Sequence, residues 1–356
     1  SCEACHAAVV SEWRDREHAR AHHDSDDVYA ALRKLRIEKQ GAHIPGQCGA
    51  CHNPQDLEDP DSAAARQGVS CATCHQLEGV ELGEGKKGVH ALTRELHGRF
   101  RGPHELLQGA SPVHGNGPAL PAIVDGKTLC LACHAEEKNA AGIVTCTTGI
   151  EHAESPGAES CTSCHMPELD GPSGSVSKRT RHRSHQFLGP HLARRRGEPG
   201  VLAGAVGLGG TLEGDQLVST LENRSSHDFP TGFPGRTAML VARALDAGGS
   251  ELARNISTEP LKQHPEAVLN QGFAGEDGKP ALAPFATKKV RDTRLRPNEK
   301  RALTWQVPPK TERVELSLRF FLVPPAMATS LRLAGPETLP LELPPVVIER
   351  KRGATP

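Results

Sequence analysis

Ten of the eleven cysteines stand as five Cys-x-x-Cys pairs, and a histidine follows each pair at once: Cys2/Cys5/His6, Cys48/Cys51/His52, Cys71/Cys74/His75, Cys130/Cys133/His134 and Cys161/Cys164/His165. Two thiols three positions apart share one side of a helical turn, where each can add to one vinyl group of a porphyrin as a thioether. The adjacent imidazole then lies under the ring and binds its iron, so the spacing reads as the attachment signature of haem c, five times over. A random chain of this Cys and His content would carry roughly 0.02 such motifs. Zinc ribbons join pairs two at a time and need no histidine after the second cysteine, and five pairs do not divide that way. A disulfide framework suits much smaller secreted chains, and a thioredoxin-like motif would occur once, beside a strand and a helix. Covalent haem c is attached outside the cytoplasm in bacteria, so the expected location is periplasmic or extracellular. No secretory signal is visible and the sequence starts with a motif already under way, as a processed chain would.

Each six-coordinate iron needs a second axial ligand, and outside the motifs there are 14 histidines against 3 methionines. Met166 directly follows His165 and cannot reach the far face of the same haem. The supply points to bis-His ligation, with lower potentials than His/Met cytochromes. The candidates are His18, His22, His23, His43, His90, His97, His104, His114, His152, His182, His185, His191, His227 and His264. At most five can be used, so for any one of them a surface or hydrogen-bonded role is the competing reading. An expected helix from Val9 to Arg20 carries Trp13 and presents His18 on one face. Cys146 is left over, as a buried thiol, an intermolecular disulfide or a sulfur ligand.

The residues around the motifs are similar to those of the multihaem cytochrome c superfamily. That superfamily includes tetrahaem carriers that partner hydroxylamine oxidoreductase, octahaem reductases, and cytochromes that polymerise into extracellular wires. Cys2 to Ala19 resembles its Cys-x-x-Cys-His, Trp, His-Ala step through Trp13 and His18-Ala19. Gly102-Pro103 to Ser111-Pro112-Val113-His114 resembles a Gly-Pro…Ser-Pro-x-His segment, which implies His114 as a distal ligand. Val144 to Thr148 with Cys161 to Pro167 resembles a Cys-Thr-Thr-Tyr-x-Glu-Trp…Cys-x-x-Cys-His-Met-Pro block, followed by His185-Gln186-Phe187-Leu188-Gly189 as a ligand step. Gly149 stands there in place of Tyr and His152 in place of Trp, so His152 is either a replacement or an additional ligand. Asn223 to Gly232 resembles an Asn…Gly-His-x-x-Pro-Thr-Gly lead-in to a β-domain, in which His227 either caps a turn or ligates a haem. The resemblance spans most of residues 1 to 245, and the distal ligands expected from supply and resemblance together are His18, His114, His185, His227, His97 and His43.

The elements that must hold these groups divide the chain. Residues 1–196 carry every motif, about 39 residues per haem, with uneven spacings of 46, 23, 59 and 31 between motif starts. Only 11 aromatic residues serve 356 positions, too few to fill two ordinary cores, so porphyrins are expected to supply core volume among short helices and loops. Residues 197–214 are Gly-rich and read as a linker. Beyond them, alternation at Leu217–Leu221, Ala238–Leu245, Ala302–Val307, Val314–Phe320 and Val346–Ile348 predicts strands, with a hairpin turn at Asp246–Gly249. The expected fold is α + β in two parts: a haem-cored, mostly helical or irregular cytochrome domain, then an antiparallel β-sandwich of about seven strands over residues 215–356.

The 42 Lys+Arg against 43 Asp+Glu give no basic footprint for nucleic acid, and no apolar run approaches the roughly 18 residues that span a bilayer. Electron transfer is the expected function, because bis-His iron has no open site. The expected partners are redox proteins or further copies of the chain. His6 lies close to the start of the sequence, which places the first haem at an edge of the molecule, and head-to-tail stacking there would give an open filament. The alternative is a multihaem reductase or oxidase of a small nitrogen or sulfur oxyanion. All five motifs end in His, not Lys as in related nitrite reductases, and Tyr29 is the single Tyr for a haem crosslink, which weakens that alternative.

Overall fold

A computed structural model describes residues 2–105, 113–256 and 260–351; Ser111 and Pro112, in the segment leading to His114, lie outside them. The chain is mixed helix and sheet and divides into two compact units. Unit 1 comprises Ser1–Ala135, Glu159–Leu192 and Leu331–Leu333, and unit 2 comprises Glu136–Ala158, Ala193–Ser330 and Ala334–Pro356.

In unit 1 the helices that matter to the motifs are α1 (Glu3–Arg14), α2 (Asp27–Gln40), α3 (Ile44–His52), α4 (Cys71–His75), α5 (Thr128–His134) and α6 (Cys161–His165). α2 carries no motif and is set by its own signals. The Asp26 side chain accepts from Tyr29 N at 2.9 Å, Asp27 and Lys39 complement the dipole, and Gly41 ends the helix at φ +103°. The helix expected at Val9–Arg20 instead starts at Glu3 and stops at Arg14, where Asp15 leaves helical geometry (φ −107°, ψ 25°). His18 therefore sits in the turn beyond α1.

Among its described residues, unit 1 buries few apolar side chains larger than alanine: Val10, Tyr29, Ile44, Leu77, Leu120, Leu192 and Leu331. An apolar cluster gathers Leu77, Leu120 and Ala122, with Val80, Leu92, Ile123 and Leu129 against them. Side chains alone give this unit no core of ordinary size, in keeping with bulky covalent groups inside it.

Unit 2 is built on antiparallel strands: β1 (Val206–Glu213), β2 (Gln216–Asn223), β3 (Thr237–Leu245), β4 (Glu251–Arg254), β5 (Val268–Leu269), β6 (Lys300–Gln306), β7 (Arg313–Phe321), β8 (Leu341–Glu342) and β9 (Val346–Glu349). One sheet has the order β6-β2-β1; the other runs β4-β3-β7-β8, with β5 also on β3 and β9 also on β7. Alternate residues of β2 and β7 are buried, among them Leu217, Leu221, Leu316 and Leu318. The predicted strands fall within β2, β3, β6, β7 and β9. The predicted turn joins β3 to β4, with Gly249 at φ +87° donating to Asp246 O at 3.1 Å.

The stretch 197–214 read as a linker is instead a short helix, Val201–Ala205, followed by β1, paired along its length with β2. The glycines there allow close approach: a Cβ on Gly210 would meet Val218 O at 2.5 Å, and one on Gly207 would meet the Arg224 guanidinium at 2.5 Å.

Candidate haem-binding centres

All five motifs end on a helical turn. His52, His75, His134 and His165 are the last residues of α3, α4, α5 and α6, while Cys2, Cys5 and His6 open α1. Cysteines at i and i+3 thereby share a face. The histidine that follows is held by a carbonyl from elsewhere in the unit: His6 Nδ1 lies 2.6 Å from Ser173 O, His52 Nδ1 2.9 Å from Ala21 O, His75 Nδ1 2.7 Å from Arg101 O, and His165 Nδ1 2.5 Å from Leu188 O. A carbonyl only accepts, so Nδ1–H is the donor in each and Nε2 keeps its lone pair, the tautomer a metal requires. Gly174 leaves room for this at His6, where a Cβ would come within 2.9 Å of Nδ1.

Motif thiols adjoin one another in unit 1. Cys71 is pushed up by burial and by nearby Cys2, and Cys130 by a hydrogen bond from Cys161, burial, and the proximity of Cys161 and Cys74. Motif one thus lies beside motif three, three beside four, and four beside five. Motif two joins them where Gln55 Nε2 donates to Thr73 Oγ1 at 2.6 Å.

Cys51 differs from the sequence expectation. Its thiol, expected to face a porphyrin vinyl group, is half-buried against the backbone of Gly88, where an added Cβ would meet Cys51 Sγ at 2.9 Å and Ala50 O at 2.2 Å. Gly88 adopts φ +53°, so a glycine with no side chain is what lets the chain pass this close to the thiol. The physical reason for the difference is the packing of α3 on the turn Gly88–Ala91, which brings backbone to one side of Cys51. Its role as the second thioether of motif two accordingly rests on the Cys-x-x-Cys-His spacing and not on its surroundings. In the same motif, Cys48 Sγ lies 3.8 Å from Arg36 Nη1 on α2.

Three of the predicted distal histidines face a motif histidine. The ring centroids of His6 and His114 are 6.3 Å apart, those of His134 and His18 6.3 Å, and those of His75 and His185 6.2 Å. Two imidazoles that share one metal at about 2.0–2.1 Å per nitrogen hold their centroids roughly 6.3 Å apart, so the residues fit an axial pair on one iron. His114 and His185 also turn Nδ1 to a carbonyl, Gly115 O at 3.2 Å and Arg183 O at 2.9 Å. Burial, with His134 and then His185 adding to it, takes His18 down to about 3; burial and His75 take His185 to about 4; burial lowers His52 and His75. All stay neutral at pH 7, with lone pairs available.

Residues 184–188 were only partly legible in the sequence. Beyond His185, they supply Leu188 O to His165 and place Phe187 edge-on to His18, with centroids 4.1 Å apart. Phe187 has φ +49°, costly for a bulky residue; the strain aims its ring at His18. Glu12 anchors this loop, its Oε2 accepting from His185 N at 2.8 Å and its Oε1 lying 2.9 Å from His182 Nε2. Tyr29 is stacked on His52 at 3.9 Å and 17°. Orienting carbonyls carry no side-chain signal, and Phe187 shows only as an apolar residue in a His-x-Phe step.

The other candidates lie elsewhere. His43 is exposed as the N-cap of α3, and His97 is exposed with its amide on Glu95 Oε2 at 3.0 Å. His227 belongs to unit 2, where Nδ1 donates to Asp228 O at 3.0 Å and lies 3.3 Å from Ser225 Oγ. Cys146 sits 3.9 Å from Thr148 Oγ1, its thiol pushed up by burial, and His152 is half-buried on helix Thr148–Glu154. Among the described residues no helix is long and apolar enough to cross a membrane.

Residues 1–76 match the model of the family described as cytochrome c554 and c-prime. Among solved structures, the chain is similar to a penta-heme cytochrome c552 from Thermochromatium tepidum, with 24% identity, a TM-score of 0.77, and coverage of 98% of this chain and 97% of that one. The putative ApaA protein from Bordetella pertussis shares 13% identity over 42% of this chain and 94% of its own, with a TM-score of 0.19, and carries no argument. No curated protein matches the chain. The shared fold and the N-terminal family match, set beside the motif geometry, support a multihaem c-type cytochrome that binds haem c covalently.

Proposed function

We propose that this chain transfers electrons through five c-type haems. They are attached at Cys2/Cys5, Cys48/Cys51, Cys71/Cys74, Cys130/Cys133 and Cys161/Cys164, with His6, His52, His75, His134 and His165 as proximal ligands. Three axial pairs, His6/His114, His75/His185 and His134/His18, rest on one observation: imidazoles opposed at 6.2–6.3 Å, four of the six rings with Nδ1 on a carbonyl. The second ligands for His52 and His165 are to be sought among His43, His97 and His227.

Bis-His haem supplies one-electron transfer with both axial positions closed. The chain's part is to fix each imidazole as the right tautomer and to set the motifs side by side, since tunnelling decays exponentially with the gap. Cys2, Cys133 and Cys164 are exposed, so motifs one, four and five have edges open to a redox partner or another copy, and on this reading the protein works in the periplasm or outside the cell, as a carrier or a filament subunit. The two sheets of unit 2 are read as a β-sandwich that attaches or shields. Carbon monoxide added to the fully reduced protein tests the closed coordination. Slow, substoichiometric spectral change is expected; rapid binding of one equivalent would point to a reductase or oxidase.

A further inference from the structure

Apart from the haem motifs, the described residues of unit 1 hold a group of side chains with the donors of a transition-metal site. His22, His23 and Asp61 place one ligand atom each within 4.8 Å of one another. His23 Nε2 lies 3.3 Å from Asp61 Oδ1 and 3.7 Å from Asp24 Oδ1, and His22 Nδ1 lies 3.6 Å from Asp24 Oδ2. Donors on one tetrahedral ion at about 2.1 Å are roughly 3.4 Å apart, so these separations already match without backbone movement.

The tautomer of His22 argues independently for a ligand. Its side chain is fully buried and Nε2 lies 2.7 Å from Pro60 O. That carbonyl takes the Nε2 proton and leaves the Nδ1 lone pair facing Asp24, as outer-shell carbonyls do for metal-bound histidines. The Nδ1 lone pair currently accepts the Asp24 amide at 3.1 Å, a local bond within a turn that an ion would replace. Arg66 Nε holds Asp24 Oδ2 at 2.8 Å, and its Nη2 lies 3.8 Å from Asp61. The guanidinium keeps the carboxylates in place and competes with a cation, so the site is suited to moderate affinity.

We propose that His22, His23 and Asp61, with Asp24 as the fourth donor, bind a divalent transition ion of the zinc class and so tie the turn after His18 to the segment around Pro60. Two imidazoles and two carboxylates suit zinc or copper better than calcium or magnesium. The site is separate from the haem attachment chemistry and does not depend on it.

Zn2+ titrated calorimetrically into chelator-treated holoprotein, with metal content measured after desalting, tests this directly. His23→Ala and Asp61→Asn are the variants, because His23 and Asp61 are less buried than His22 and their loss spares the interior. The expected result is one equivalent of Zn2+ bound by the wild type, at least about tenfold weaker binding in either variant, and unchanged visible and EPR spectra of the haems. Absent binding, or equal affinity in the wild type and both variants, overturns the site. Loss of a low-spin haem signal in His23→Ala also overturns it, by making His23 an iron ligand.

Discussion

Removing one imidazole of an opposed pair should open one iron and leave the others closed. In His185→Ala the His75 iron loses its partner, so one low-spin EPR signal should give way to a high-spin one while the remaining haems stay unchanged; an unaltered spectrum would remove the His75/His185 assignment. In unit 2 the chemistry is acid–base. Asp228 is 1% exposed, and burial, reinforced by the Glu151 carboxylate against the pull of Arg294 and Arg296, raises its carboxyl to about 6. The folded state therefore holds this proton more tightly than the unfolded chain, whose value is about 4. Asp228 favours folding most below about pH 4, and that contribution is lost as pH rises through about 6. Asp228→Asn cannot ionise, so relative to the wild type it should gain stability across that window, by at most about 3 kcal/mol. Unfolding free energies of both proteins from pH 4 to 7 check the sign, and a constant difference between them would refute it.

The loop Ser184–Leu188 serves the ligands of three motifs, and Glu12 on α1 fixes it with one carboxylate bonded to two histidines. Burial works against protonating His182, but the Gly171 carbonyl and Glu12 raise it, so the Glu12–His182 pair is strongest in mild acid. Glu12→Gln keeps the shape and loses the charge; a loss of about 1–3 kcal/mol and a broadened signal from the His75/His185 haem are expected, and a sharp, unshifted signal would show that the loop needs no anchor. Legibility in the sequence differed among elements for physical reasons. Attachment motifs were readable because thioether chemistry fixes their spacing, and His114 and His185 because short flanking segments repeat around them. The close passage of Gly88 over Cys51 was not readable, since it depends on how α3 meets a turn nearly forty positions later. The role of Phe187 was hidden too, its left-handed backbone being imposed by contacts distant in sequence. The Gly-rich β1 was misread because its glycines answer the approach of Val218 and Arg224 and not a need for flexibility. The end of α1 was missed because Trp13, which donates to Val69 O at 3.0 Å, marks a tertiary anchor and not the middle of a longer helix.

At the scale of the whole molecule, the succession of neighbouring motifs, one to three to four to five with two joined at three, makes a conduit in which no thiol pair is remote from the next. A conduit is useful only where electrons can enter and leave, and the exposed cysteines Cys2, Cys133 and Cys164 put motif one at one opening and motifs four and five at another. Contact between unlike openings on successive copies is heterologous and does not close by itself, so it propagates; contact with a different redox protein stops after one step. The two outcomes separate by concentration. If copies are each other's partners, micrographs of purified holoprotein should show linear particles that lengthen as concentration rises, and Cys133→Ser, which removes one exposed thioether, should shorten them while the His6/His114 signal persists. Discrete particles of constant size at every concentration would eliminate the filament and leave electron transfer to a separate partner as the function of the same haem chain.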